Sequence, residues 1–292
     1  MILEKTAERQ AELLSILRRE FDLSAGLVKR LKWQNALFVN DLPAHTNCRV
    51  FPGDRVRVVV EEEPEGFPPE PMALSILYED EAFLAVDKPA GLLVHPSPQR
   101  NSGTLANGVL YHLRQQGEAA GIHPVTRLDR DTFGVVLLAK TANVHDQFCR
   151  MLRERQLEKT YLASVFGAPE QDEGTIDLPV YKVGGGSLIR VVDARGQKAV
   201  TGYRVLARAA QTALLQLHPH TGRTHQLRLH CLASGFPILG DPQYTTEAAK
   251  QYSDALGLSA QQLCAAKLVF PHPMTGKRME ICSEQEVFFK KD

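Results

Sequence analysis

Residues 123–140 read HPVTRLDRDTFGVVLLAK, which sets Arg127, Asp129, Arg130 and Asp131 directly ahead of an apolar run at 135–139. Side chains alternate in an extended chain, so Arg127, Asp129 and Asp131 would share one side while Leu128 points to the other. Carboxylates crowded against a guanidinium and anchored by a buried strand are a way to present a reactive carboxylate from a rigid element. The same residues also read as a solvated turn, since Asp131, Thr132 and Gly134 suit one.

Residues 218–230, HPHTGRTHQLRLH, carry a second constellation. The polar turn Thr221-Gly222-Arg223-Thr224 would open a helix whose amino end can bind an anion, with phosphate the obvious candidate. With Thr224 near the cap, Thr224 and Arg228 lie four apart and His225 and Arg228 three apart, so they share a helix face. Gly235 would close the helix. The four histidines fall two, five and five apart. That spacing does not stack ligands as His-x-x-x-His does, so packing and positioning are the preferred reading and no metal is expected. A third candidate, Tyr161 in Lys159-Thr160-Tyr161-Leu162-Ala163, reads on its own as a packing residue with a wet hydroxyl.

The elements that would carry these residues follow from periodicity. Leu13, Leu14 and Leu17 mark an amphipathic helix, and Ser24 caps a second one bearing Leu27, Val28 and Leu31. That second helix displays Lys29, Arg30 and Lys32 on its other face, by default a solvated surface. Short strands are predicted at 37–39 and 55–60, with turns at Asn40-Asp41 and Pro52-Gly53-Asp54. Residues 61–75, EEEPEGFPPEPMALS, combine acids with four prolines and one glycine, which suits an extended linker. The division predicted is therefore 1–62, a linker over 63–75, and a larger domain over 76–292. Within the larger domain, strands are predicted at 83–86, 135–139, 161–166, 203–207 and 213–217, and helices at 104–114, 144–154, 224–233 and 259–265. Val144, Phe148, Met151 and Leu152 form a core stripe. This irregular alternation argues for an α+β (mixed α/β) fold, not a doubly wound one. No GxGxxG or GxxxxGK[ST] occurs, and Gly184-Gly185-Gly186 reads as a loop.

Composition is that of a folded globular chain: 292 residues, 43% hydrophobic and 23% charged. Lys plus Arg and Asp plus Glu both total 34, so no whole-molecule field draws a polyanion and any nucleic-acid binding must be local. The five cysteines are scattered and never spaced Cys-x-x-Cys, which suggests neither a disulfide framework nor a cysteine zinc site. The amino terminus shows no cationic stretch followed by a long apolar one, and no apolar run approaches a membrane span. A cytoplasmic monomer is expected.

Around Asp129 the chain closely resembles the signature of RluA-type pseudouridine synthases, an aspartate after Arg-Leu and before a Thr-x-Gly step into a strand. Arg127, Asp129, Thr132 and Gly134 occupy those places. Two positions depart: Thr126 stands where the family usually has His, and Phe133 where it usually has Ser or another small residue. Lys159-x-Tyr161-x-Ala163 resembles the second motif, and Gly222-Arg223-Thr224-His225-Gln226-Leu227-Arg228 the third. Asp87-Lys88-Pro89 with Gly91, and residues 235–241, fit in family order. Residues 1–62 resemble an S-four-like RNA-binding module.

The resemblance implies a pseudouridine synthase fold, with a central mixed, mostly antiparallel sheet and flanking helices, that isomerises uridine in structured RNA without a cofactor. It implies Asp129 as the catalytic carboxylate, Arg228 as its partner and Tyr161 stacked on the base. Arg127 would fill the place of the flipped uridine. Arg130, Arg223, His225, Lys88, Lys29, Arg30 and Lys32 are the further residues expected to meet RNA. Large-subunit ribosomal RNA is the favoured target; transfer RNA, a non-catalytic RNA-binding role and a metal-dependent hydrolase are the alternatives.

Overall fold

The computed structural model describes residues 2–60, 66–97, 100–118, 121–184 and 189–290. Gly185, Gly186 and the expected boundary at 62/63 lie outside the described residues.

The amino-terminal part runs β1 (Ile2–Thr6), β2 (Ala11–Glu12), α1 (Leu13–Arg19), α2 (Ala25–Trp33), β3 (Leu37–Val39), β4 (Leu42–Pro43), β5 (Arg49–Val50) and β6 (Arg55–Val59). Its antiparallel sheet has the order β1-β6-β3-β4. Leu13, Ile16 and Leu17 of α1 and Leu27, Val28 and Leu31 of α2 pack with Val56 and Val58 in one core. Leu14, counted with the apolar face from periodicity, is instead exposed. Ser24 caps α2 as its position predicts, accepting from Leu27 N at 3.1 Å. Asn40 and Asp41 both adopt positive φ, 51° and 65°, the geometry of a tight two-residue hairpin. The strand β1 gave no signal in the pattern because it pairs along one edge with nearly every side chain exposed.

This part rests on the rest of the chain through α4 (Ala142–Arg153). Arg150 Nη1 meets both Asp22 carboxylate oxygens at 2.5 Å, and the Ser24 hydroxyl donates to Asp146.

The remaining elements, with α4 between β10 and β11, are β7 (Ile76–Glu79), β8 (Phe83–Lys88), α3 (Leu105–Gln115), β9 (His123–Pro124), β10 (Phe133–Ala139), β11 (Glu158–Phe166), β12 (Glu173–Asp177), β13 (Val180–Lys182), β14 (Arg190–Val192), β15 (Val200–Arg208), β16 (Thr212–Pro219), α5 (Gln226–Ala233), α6 (Glu247–Ala255), β17 (Leu263–Pro271) and β18 (Arg278–Cys282). The path β12-β15-β16-β11-β17-β10-β8-β7 forms the main sheet, with β18 beside β17 and β9 beside β10. Among the described strands only β10 and β17 pair in parallel, which makes the fold α+β with a mostly antiparallel sheet.

All seven residues of β10 are buried because helices cover both of its faces. Val136 and Leu138 pack with Leu105, Val109 and Leu110 of α3, while Val135 and Leu137 pack with Val144 and Phe148 of α4. The Pro-rich stretch is extended but fastened: Asn107 Nδ2 donates to Pro68 O at 2.7 Å and Phe67 joins the α3 core. Thr104 and Asn107 complete a capping box at the start of α3.

The helix predicted over 259–265 is not formed. Leu263, Cys264 and Ala265 are the buried start of β17, and a short apolar run does not distinguish a core strand from a core helix. The helix in this region is α6, missed because only Ala249 and Ser253 are buried and no apolar stripe marks it. No helix of the described residues is long and apolar enough to cross a membrane.

Gly134 sets how closely β10 and β17 approach. Its φ is +106°, and a Cβ there would lie 2.4 Å from Ala265 O. Gly134→Ala is expected to destabilise the protein by about 3 kcal/mol, combining backbone strain with a clash against backbone. Urea unfolding monitored by circular dichroism measures this, and a loss under about 1 kcal/mol would contradict it.

Candidate active site

The loop between β9 and β10 brings Asp129 to the edge of the sheet, and residues on four sides hold it there. Thr132 N donates to Asp129 O at 3.2 Å, closing a turn. Thr126 is buried and its hydroxyl accepts from Leu137 N at 2.9 Å, tying the loop to β10. Gln261 donates to the Thr132 hydroxyl. Lys88 Nζ donates to Pro89 O, Leu92 O and Arg130 O at 2.9, 2.8 and 2.9 Å. Lys88, expected to meet RNA, is therefore a completely buried cross-link between two loops. Burial lowers its pKa to about 8, with Asp131 and Asp129 opposing the shift.

Arg127 and Asp129 both line the cleft, and Leu128 between them is buried. Asp131 instead takes both Arg130 Nε and Nη2, at 2.9 and 3.0 Å. Arg127 is exposed along the cleft wall.

Arg228 comes from α5 and is nearly sealed, its side chain 7% exposed. Its Nη1 donates to Asp129 Oδ2 at 3.1 Å. Its Nε and Nη2 donate to Asp241 Oδ2 and Oδ1 at 2.7 and 2.9 Å, a bidentate pair. Burial disfavours the guanidinium charge, but Asp241 and then Asp129 outweigh it and raise the pKa. Asp241 is itself fixed by the amides of Gln243 and Tyr244, both at 2.9 Å. The sequence placed Asp241 only in a supporting stretch; its distance from Arg228 along the chain hid the pairing.

Thr224 does not cap α5. The helix starts at Gln226, and the residue before it, His225, adopts the left-handed conformation with φ 58°. Gln226 secures the turn: its Oε1 accepts from the Thr221 hydroxyl at 2.8 Å and Arg223 N at 3.0 Å, and its Nε2 donates to Val200 O at 3.0 Å. A non-glycine residue at positive φ is uncommon, and here it swings the ring into the cleft. His225 Nε2 stands 3.9 Å from Asp129 Oδ2, and Nδ1 is 2.9 Å from the Tyr244 hydroxyl. Burial lowers the His225 pKa despite the charge of Asp129. His230, by contrast, is a packing residue, bonded to Thr201 and Leu178 O at 2.9 Å each.

Tyr161, half-buried on β11, completes the group. Burial and then the charge of Asp129 raise its pKa, so the phenol stays protonated. Asp129, Tyr161, Arg228, His225, Arg127 and Arg223 all line one cleft of about 420 Å³. The turn at 222–224 also walls a second cavity of about 460 Å³, lined by Lys182, Arg190, Arg195 and Arg223.

In the amino-terminal part, Lys29 and Lys32 are exposed as the pattern predicts. Arg30 departs from it: Nε and Nη2 are buried without a partner among the described residues, so its guanidinium turns toward the protein. Trp33, 77% exposed, lies on the same face as Lys29, four residues on.

A family model described as RNA pseudouridylate synthase matches residues 82–233. A relative in Aquifex aeolicus described as an uncharacterized RNA pseudouridine synthase is 36% identical, over 99% of this chain and 95% of its own length. Ribosomal large subunit pseudouridine synthase D of Neisseria meningitidis is 36% identical over 84% of this chain and 67% of its own length. Among solved structures, human RNA pseudouridylate synthase domain containing 1 superposes with a TM-score of 0.58 at 26% identity, covering 74% of this chain and 86% of that one.

Lys88→Met is expected to lower stability by about 3 kcal/mol, because three carbonyls lose their donor together. The salt dependence of RNA binding should not change. A variant of undiminished stability whose RNA affinity falls would restore Lys88 to the binding surface.

Proposed function

Because this chain belongs to the RNA pseudouridine synthase family, an isomerase acting on RNA, we propose that Asp129 is its catalytic carboxylate, with Arg228 its orienting partner and Tyr161 the platform for the uracil. The reaction breaks the bond between N1 and C1′ of uridine, turns the uracil, and joins C5 to C1′. The hydrogen on C5 leaves to solvent and N1 gains a proton, so the step involves no redox change. A carboxylate at the anomeric centre can attack C1′, remove a ribose proton or stabilise developing positive charge. Each role needs an ionised oxygen held in one direction. The single observation that carries the reading is the 3.1 Å contact from a sealed, Asp241-clamped Arg228 to the half-exposed Asp129.

The uridine must leave its stack to reach this cleft, which costs a few kcal/mol. Arg127, exposed at the cleft wall, is placed to occupy the vacancy, while Arg130, Arg223 and His225 meet the surrounding strand. We take large-subunit ribosomal RNA as the substrate, a reading supported by the relatives named pseudouridine synthase D that align with most of this chain. The same reading places a monomeric enzyme in the cytoplasm. Residues 1–62 serve as an S-four-like RNA-binding module through the exposed cations of α2, followed by a connector over 63–75.

Asp129→Asn is expected to abolish isomerisation while leaving RNA affinity within about twofold, since it removes the charge but keeps the shape. Release of tritium from RNA labelled at uridine C5 measures turnover, and retained release would refute the assignment. Replacing Lys29 and Lys32 together by Gln should reduce the slope of log affinity against log salt by roughly 1 to 2. An unchanged slope would discard the module's role.

A further inference from the structure

Two lysine ammonium groups around the main sheet are sealed from bulk water and saturated by the protein, and a third, Lys159, is half-buried in the cleft. Lys88 has its three carbonyls, and Lys140 has Glu79 and Glu118 at 3.0 and 2.9 Å. Lys159 has no hydrogen-bond or ion-pair partner among the described residues. It leaves β11 two residues before Tyr161, so both side chains emerge on one face, and both line the cleft. A Cβ on Gly222 would lie 3.8 Å from its Nζ, so the ammonium faces the turn at 222–224. Burial lowers its pKa, and no carboxylate acts on it to offset the loss of water.

An ammonium taken from water without a counter-charge is unfavourable, and proteins retain one where an anion will meet it. The only carboxylate among the cleft-lining residues is Asp129, which already receives Arg228. The counter-charge therefore has to arrive with the substrate. An RNA strand brings one phosphodiester per nucleotide, and beyond the same turn Lys182, Arg190 and Arg223 continue the cationic wall, with Arg195 beside them paired to Asp193. A nucleotide whose base lies against Tyr161 and whose ribose faces Asp129 has its own phosphates within the same cleft.

We propose that Lys159 ion-pairs a phosphodiester flanking the flipped uridine and so positions the ribose before Asp129. This rests on reading the cleft as the uridine site. Lys159 is a substrate-binding residue in this scheme and takes no part in moving protons.

The test uses a short synthetic RNA hairpin that the unaltered protein converts, bound by the full chain carrying Asp129→Asn so that no turnover intervenes. Lys159→Met should weaken binding roughly tenfold, as loss of a charge-assisted contact does. It should also lower the salt slope by about 0.7, the value for one phosphate of a single strand. Lys159→Arg should recover most of both. A neutral methylphosphonate at one of the two linkages flanking the uridine should weaken binding to the Lys159 protein by the same factor, and should have no further effect on Lys159→Met.

Independent losses for Lys159→Met and for both flanking methylphosphonates would overturn the proposal. So would a loss confined to turnover when the substitution is made with Asp129 present, which would assign Lys159 to the base. If Lys159→Met does not fold, the methylphosphonate scan on the Lys159 protein decides, and indifference at both linkages rejects the contact. Turnover retained by Asp129→Asn would sink the reading of the reaction and leave the phosphate coupling standing, so the two failures are distinguishable.

Discussion

A guanidinium shut away from water must have its donors met, and Arg228 is the group whose pairing organises this cleft. Asp241 takes Nε and Nη2 through both of its oxygens and is itself fixed by two backbone amides of the following turn. Bidentate pairing leaves the planar fork one orientation. The remaining nitrogen, Nη1, then points where Asp129 stands. Rigidity passes from the loop at 241–244 through α5 to the carboxylate. Asp129 keeps 27% of its side chain exposed while Asp241 keeps none, so one carboxylate anchors the cation and the other remains open to a substrate.

The loop that carries Asp129 lacks regular secondary structure, so its backbone must be held by other means. Lys88 and Thr126 supply side-chain anchors, while Gln261, just ahead of β17, reaches Thr132 just before the neighbouring β10. This explains polar residues inside an otherwise aliphatic region. Thr126, where related signatures usually carry histidine, keeps a hydroxyl acceptor for Leu137 N, so the departure changes the loop's side-chain fastening without opening it. Phe133, the other departure, is buried as the first residue of β10, which removes it from the lining of the cleft.

Much of this was legible in the chain because short-range patterns encode it. The strand β10, helices α3 and α4, the Ser24 cap and the hairpin at Asn40-Asp41 each follow from local periodicity or turn chemistry. Asp129, Tyr161 and Arg228 were found through motif order, and the fold brings them to one cleft. What escaped was decided by pairing distant in sequence. Lys88 reads as a surface cation until three carbonyls close over it, and Arg30 as a displayed one until its fork turns inward. Asp241 looks like a turn residue until α5 places Arg228 against it. His225 was expected to follow a Thr224 cap inside the helix, and no pattern encodes its left-handed turn, which the buried amide of Gln226 secures.

Charge balance has a consequence for how such a protein holds a polyanion. With 34 cationic and 34 anionic residues there is no net field, and attraction beyond a Debye length of about 8–10 Å is screened at physiological salt. Affinity must then come from a few cations whose partners are absent or weak. Some surface arginines share their charge with a neighbouring carboxylate: Arg130 with Asp131, Arg195 with Asp193 and Arg208 with Asp172. At the cleft, the exposed Arg127 and the half-buried Lys159 have no carboxylate partner among the described residues, and the amino-terminal part adds the exposed lysines of α2. Arg223 joins them only in part, since its Nε donates to Lys198 O at 3.2 Å, while its Nη groups have no partner among the described residues. Neutralising contacts so few and so local would make binding depend on correct seating of the nucleotide more than on total charge. A strand that cannot deliver its uridine to Asp129 would also fail to satisfy the ammonium beside it, so recognition and positioning draw on the same contact.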